Sequence, residues 1–381
     1  MVKVRDARCI MDFSKRFVGP SALFMAVALV GCGSTNAPAD NGSTGGGSGT
    51  GGAGSGGAGG AVSDASDTDA PGTSDTSNDI ASDRTAGRDG ASDGSRDAAI
   101  PPSDSSNPED LIREMLARFD AVELEARYRE LEAKSLPDRY TKSANYTAIT
   151  EWVRDMMNAE GTGLEVRFDE WEGYRNIEIA IKGTDPTAGM YILGGHLDSV
   201  KNTVAMDDNG SGGLGMALMA RALSHYRYQA EIRCVIFDAE EIGLVGSAHY
   251  AQALKASGCD ANTCLKAYIN LDEVAYDPQS RRGMRVWSDV AALQMMHTQV
   301  NTTYGLGLTL TLAAGSCHRS DDCSFSDQGY PTVYNFQAAQ SPYYHMPGDT
   351  SDTLNFTTLT KVLQIAAGVV ATGAVPVGRF P

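Results

Sequence analysis

The chain has 381 residues, with 48 acidic and 31 basic side chains and a formal net charge of −17 at pH 7. That acidity argues against non-specific nucleic-acid binding, which needs Lys and Arg to neutralise phosphates, and against adsorption to anionic lipid headgroups. Neither a repeat array nor a polytopic membrane protein fits the residue pattern.

Residues 1–32 carry five Lys/Arg against two Asp, a balance of +3. Lys15 and Arg16 precede an apolar run from Phe17 to Gly31, broken only by Pro20 and Ser21. The run is shorter than the roughly 20 residues of a membrane span and suits the apolar region of a secretory signal. It ends in Leu29-Val30-Gly31-Cys32, which resembles the lipobox of bacterial lipoproteins. That resemblance implies cleavage before Cys32, lipidation of Cys32, and anchoring to the bacterial cell envelope, with the outer membrane as the expected site. Cleavage elsewhere would make the protein secreted. Met11 is an alternative start to Met1.

Residues 33–106 hold eleven Asp, three Arg, 17 of the 42 glycines and no aromatic residue. Such a segment cannot bury enough apolar surface to offset its conformational entropy and is predicted to be a disordered tether. As a flexible coil it would reach about 45–50 Å. Residues 107–381 remain, carrying a charge of −12, enough for one large domain.

Helical spacing predicts a helix over 110–133, ended by Pro137, and a second over 143–160. Short β-prone runs follow at 164–168, 177–181 and 191–193. A small-residue helix is predicted over 210–226, a strand over 232–237, a helix over 246–255 and a strand over 267–271. A helix near 290–300, a strand over 332–334 and a final helix from about Thr358 complete the set. Apolar strands alternating with amphipathic helices predict an α/β fold, a mixed, mostly parallel sheet covered by helices on both faces. In such sheets ligands sit beyond the carboxyl ends of the strands.

With Cys9 and Cys32 in the signal, five cysteines remain, and none forms a C-x-x-C pair. Cys259 with Cys264, and Cys317 with Cys323, have the spacing of local disulfides in an oxidising compartment. Cys234 lies in an apolar run and is predicted to be a buried thiol.

Chemistry concentrates in five segments: GGHLDSV (194–200), AMDDNGSGG (205–213), FDAEEIGLVGS (237–247), INLDEVAYD (269–277) and YYHMPGDT (343–350). Four follow an apolar strand or open a helix. They supply two histidines and an excess of carboxylates without a thiolate, which suits Zn²⁺ or a similar cation and allows two metals to share a bridge. Such a pair activates water and polarises a carbonyl. Glu240-Glu241 lets one carboxylate bind metal while its neighbour moves a proton. Asp198, two residues after His196, is placed to fix the imidazole tautomer. Each segment alone also reads as a turn or a solvated helix start; their occurrence together after strand ends does not.

At these residues the chain resembles the M28 family of zinc exopeptidases, over about residues 139–355 and with all five motifs in the family's order. The resemblance implies a mixed eight-stranded sheet between helices and a site for two Zn²⁺. His196 and Asp272 then correspond to ligands of one zinc, Glu241 and His345 to ligands of the other, and Asp208, rather than Asp207, to the bridging carboxylate. Glu240 corresponds to the general base. Tyr344 matches a tyrosine that some members use to stabilise the tetrahedral oxyanion, and Arg319 and Asp321 match a segment that helps form the substrate pocket. One departure is that Asp322 stands where the family commonly has histidine, adding negative charge near that pocket. His225, His249, His297 and His318 match no ligand motif and are read as surface or structural.

The function this implies is an aminopeptidase acting on peptides with a free N-terminus, without nucleic-acid partners, touching the membrane only through Cys32, and monomeric. The alternatives are a carboxypeptidase or other amide hydrolase on the same site, or a dead, tethered binding protein on a peptidase scaffold. A glutaminyl cyclase, working with one zinc, fits the full ligand set less well. Neither G-x-S-x-G in the folded domain nor H-E-x-x-H is present.

Overall fold

The computed structural model describes residues 107–380 apart from 160, 161, 262 and 316; the signal, Cys32 and the tether lie outside the described residues. Helices α1 (Pro108–Leu116) and α2 (Ala121–Lys134) replace the single helix expected over 110–133. The break is Asp120, whose carboxylate accepts the N–H groups of Val122 and Glu123 at 3.0 and 2.9 Å and caps α2. Such a cap is worth about 1 kcal/mol. Helix α3 (Ala144–Ala159) buries Tyr146, Ile149, Val153 and Met157.

Strands β1 (Glu165–Trp171), β2 (Tyr174–Ile181) and β3 (Met190–His196) follow, then an irregular turn over Met206–Gly210 leading into helix α4 (Ser211–Leu223). Next come β4 (Tyr226–Tyr228), β5 (Glu231–Phe237), α5 (Val245–Ala256), β6 (Leu265–Leu271), β7 (Gly283–Trp287) and α6 (Ala291–Thr303). The described chain closes with β8 (Thr309–Ala313), α7 (Asp322–Ser326), β9 (Thr332–Gln337), α8 (Phe356–Ala374) and β10 (Pro376–Arg379). Eight strands form one sheet in the order β1-β2-β5-β3-β6-β9-β7-β8, while β4 and β10 make a small antiparallel ribbon. The central pairs β5/β3, β3/β6 and β6/β9 are parallel, as is β7/β8; β1/β2, β2/β5 and β7/β9 are antiparallel. This is the expected mixed, mostly parallel sheet.

Strand β5 shows why the core has two layers. Ile232, Cys234 and Ile236 join one apolar cluster with α1–α4, α6 and α8, whereas Val235 and Phe237 join another with Tyr250, Leu254 and Phe325 from α5 and α7. Alternate side chains of one strand therefore serve opposite faces. Helix α8 is long and apolar enough to cross a membrane, yet 72% of that window is buried, which identifies it as a core helix. Strands β7 and β8, unforeseen from sequence, are short, at the sheet's end and half exposed.

Disulfides join Cys259 to Cys264 and Cys317 to Cys323, while Cys234 is a buried free thiol. Helix α4 reaches the sheet at Gly212 and Gly213. A Cβ at Gly212 would lie 2.2 Å from the Leu271 carbonyl oxygen, and one at Gly213 would lie 2.3 Å from that of His196. Only glycine lets the helix start sit against the ends of β3 and β6.

Candidate active site

Strands β5, β3 and β6 are adjacent and parallel, so their carboxyl ends open on one edge. His196 ends β3, Asp238 to Glu241 follow β5, and Asp272 follows β6. The turn before α4 adds Asp208, and the segment before α8 adds His345.

These side chains meet in two groups, His196 with Glu240 and Asp272, and Asp208 with Glu241 and His345. Within each group the candidate ligand atoms lie within 4.8 Å of one another. His196 Nε2 is 3.5 Å from Asp208 Oδ1, 3.6 Å from Asp272 Oδ1 and 3.8 Å from Glu240 Oε2. His345 Nε2 is 3.1 Å from Asp208 Oδ2 and 3.0 Å from Glu241 Oε2. Asp208 thus turns one oxygen to each histidine. Asp207 faces away, accepting the Ala275 N–H at 3.0 Å and the Gln337 amide at 2.7 Å.

A surrounding set of hydrogen bonds holds these groups. Asp198 is fully buried and accepts the N–H groups of Glu240 and Glu241 at 3.1 and 3.3 Å, while His196 Nδ1 lies 3.2 Å from its carbonyl and 3.4 Å from its carboxylate. It therefore positions both glutamates as well as the imidazole. Asp272 Oδ2 accepts the Ser320 hydroxyl at 2.6 Å, and Ser320 in turn accepts from Asn270, which is bonded to the Tyr268 hydroxyl. Asp349 accepts the N–H groups of Asp207 and Asp208 at 2.8 and 3.0 Å.

Arg139 is a residue that motif reading did not single out. Fully buried, it donates to the carbonyls of Leu197, Val204 and Ala205 and to the Ser135 hydroxyl. It ties the segment after His196 to the one leading to Asp208. Its position in Asp138-Arg139-Tyr140, outside every motif, carries no periodic or spacing signal.

The site is a buried excess of negative charge. Burial pushes Glu240 up to about 10; His196 opposes this, and Asp272, Asp321 and Asp198 add to it. Burial and the Asp208 charge push Glu241 up to about 8. Burial would pull the His196 imidazole down, but Glu240 and Asp272, with Asp198 and Asp208, hold it well above the ordinary histidine value. Burial also opposes ionisation of Asp208, yet His196 and His345 bring it to about 2. Buried atoms His196 Nε2, Glu241 Oε1 and Asp272 Oδ1 have no hydrogen-bond partner. Converging, unsatisfied nitrogen and oxygen donors of this kind fit divalent cations such as zinc.

The remaining predicted residues lie at the margin. Tyr344 stacks on the His345 ring at 3.9 Å and is 48% exposed. Arg319 is exposed, and its backbone N–H points to Cys323 Sγ. Asp321, expected in the substrate pocket, is fully buried with neither oxygen hydrogen-bonded, so it offers no surface to a peptide. Burial raises it to about 7, with His196 opposing and Asp272 adding. Asp322 is also buried, accepts from the His318 N–H at 3.1 Å and lies 3.3 Å from that imidazole. Burial lifts it to about 8, with the His318 N–H opposing. His297 is buried against the Leu293 carbonyl, and His249 stacks on Trp171. An open cleft of about 650 Å³ beside α2 is lined by none of the cluster residues.

Fold and site define an α/β protein with a paired histidine–carboxylate centre at the carboxyl edge of its sheet. The chain belongs to peptidase family M28, whose sequence profile matches residues 176–370. It is 28% identical over 200 residues to leupeptin-inactivating enzyme 1 of Streptomyces exfoliatus, covering 51% of this chain and 44% of that protein. It is 35% identical over 100 residues to a probable leucine aminopeptidase 2 of Aspergillus oryzae, covering 26% of this chain and 19% of that protein. The chain thus spans less than half the length of these curated relatives. The crystal structure of the Legionella pneumophila LapA aminopeptidase shares the fold, with a TM-score of 0.63 and 18% identity over 77% of this chain and 80% of that chain.

Proposed function

We propose that this protein is a zinc-dependent aminopeptidase that hydrolyses the first peptide bond of peptides with a free N-terminus. The observation that carries the reading is Asp208 standing between two histidine–carboxylate groups, with Glu240 beside them. Membership of a peptidase family and the names of the curated relatives support the same class.

In this reading His196 and Asp272 would hold one zinc, Glu241 and His345 a second, and Asp208, which faces both histidines, would serve both. Bound zinc supplies Lewis acidity, activating water and polarising the scissile carbonyl. Glu240 accepts the proton of the attacking water at a carboxylate oxygen and returns it to the amine nitrogen as the C–N bond breaks. One water is consumed and the carboxylate is regenerated. Asp198 fixes the stance of Glu240 and Glu241 through their N–H groups, and the Tyr344 hydroxyl donates to the carbonyl oxygen as it gains charge. The names of the curated relatives, a probable leucine aminopeptidase among them, favour the aminopeptidase direction over the carboxypeptidase one.

The test is to load the full chain with zinc and compare aminoacyl amides with their N-acetylated twins and with a peptide blocked at its amine but free at its C-terminus. Cleavage of the free-amine forms alone is expected. Release of a C-terminal residue from the blocked peptide would overturn the reading.

A further inference from the structure

A cavity neighbours the paired centre through residues adjacent in sequence to Asp272 and His345. It measures about 290 Å³ and is lined by Glu273, Arg285, Phe336, Gln340 and Tyr344. Glu273 follows Asp272, and Tyr344 precedes His345, so its walls continue from one residue of each group. The volume falls just below the roughly 300–1,000 Å³ of sites for drug-sized ligands and suits a single residue.

Arg285 sets the chemistry of this cavity. It lies on β7 opposite Phe336 of β9, with its guanidinium 5.8 Å from the ring centres of both Phe336 and Trp287. Its Nη2 donates to the Ala338 carbonyl at 2.8 Å. Among the described residues no carboxylate lies within 4.0 Å of it, unlike Arg175, Arg233 or Arg379, which pair with acids. A guanidinium carries five donors in a planar fork matched to a carboxylate. Arg285 is half-buried beside the two rings, and among the described residues the Ala338 carbonyl is the hydrogen-bond partner its fork has.

We propose that Arg285 is a specificity-determining residue and that this cavity receives an acidic N-terminal residue, glutamate or aspartate, of the peptide substrate. The inference rests on the aminopeptidase reading and adds the substrate class. The α-ammonium belongs at the Glu273 end, next to the metal-ligand candidates, and the side-chain carboxylate meets the Arg285 fork as a two-hydrogen-bond ion pair. A leucine side chain in the same space would cover the guanidinium without giving it a partner, and leaving such a group desolvated is costly. A lysine side chain would meet like charge.

The experiment uses the zinc-loaded full chain with glutamyl, leucyl and lysyl p-nitroanilides, and measures binding of free L-glutamate and L-leucine by calorimetry. The glutamyl substrate is expected to exceed the leucyl one in kcat/KM by about tenfold or more. Arg285→Met keeps the apolar stem over the aromatic rings and is expected to bring the glutamyl-to-leucyl ratio below one. Arg285→Gln, which keeps a donor, is expected to fall between, and serves if the methionine variant does not fold. Glutamate should bind about tenfold tighter than leucine to the wild type, and that margin should vanish in the variant. A leucyl or lysyl preference in the wild type, or a ratio unmoved by either variant, overturns the proposal. If no amide is cleaved, the aminopeptidase reading fails, and the two amino-acid affinities still decide what the cavity selects.

Discussion

Glu240 is the residue on which the proposed chemistry turns. It shares a group with His196 and Asp272, yet lies farther from the imidazole than either Asp208 or Asp272 does. A carboxylate that near, but not needed to complete the ligand set, is placed to carry a proton. Glu240→Gln preserves shape and removes basicity. Turnover is expected to fall by about 10²–10⁴-fold while zinc content stays that of the wild type. Near-normal kcat would remove its role, and loss of zinc would make it a ligand instead. At this scale the candidates are legible because His196, Glu240, Glu241 and Asp272 end or follow strands and Asp208 precedes a helix, while His345 rests on its motif alone. The choice of Asp208 over Asp207 rests on the family pattern; in the structure Asp207 is turned toward Ala275 and Gln337 and away from the histidines. Arg139 and Asp349 were not legible, since their partners are main-chain groups brought close only by folding.

At the scale of elements, the centre depends on three parallel strand ends and two turns held in register. Arg139 joins the stretch after β3 to the turn before α4, and Asp349 holds the turn's N–H groups from the segment before α8. Arg139→Met would leave three buried carbonyls short of a donor, and breaking a buried charged network costs about 3–5 kcal/mol. The expected result is a Tm lower by roughly 10 °C, with zinc affinity weakened about 10–100-fold. An unchanged Tm and zinc affinity would show that the turn holds itself. Lysine is not expected to rescue, because it lacks the planar fork. Periodicity found the helices and buried central strands well, because β5 and β6 are apolar nearly throughout. It missed β7 and β8, whose half-exposed residues carry little hydrophobic signal, and it ran α1 into α2 because Asp120 reads as one more polar helix position.

For the whole molecule, the balance of buried charge predicts how stability depends on pH. Burial raises Asp349 to about 6, Asp238 and Asp321 to about 7, and Glu241 and Asp322 to about 8. Unfolded carboxyls titrate near 4, so between about pH 4 and pH 8 the metal-free folded chain binds more protons than the unfolded one. Its stability is therefore greatest at the acid end of that window and falls as pH rises. Each net proton contributes about 1.4 kcal/mol per pH unit, or roughly 3–5 °C in Tm. After chelation, Tm is expected to drop from pH 5 to pH 8, and zinc, replacing protons at the cluster, is expected to reverse the drop. A metal-free Tm that is flat or rising over that range would contradict this electrostatic account.

The central claim is the proposal that the two histidine–carboxylate groups, joined by Asp208, would hold two zinc ions as one hydrolytic centre for peptides with a free amine. It is tested most directly by titrating the metal-free chain with zinc while following hydrolysis of an aminoacyl amide. Activity is predicted to reach its plateau at two zinc equivalents per chain, with the N-acetylated amide inert throughout. A plateau at one equivalent, or equal cleavage of the acetylated amide, would contradict it.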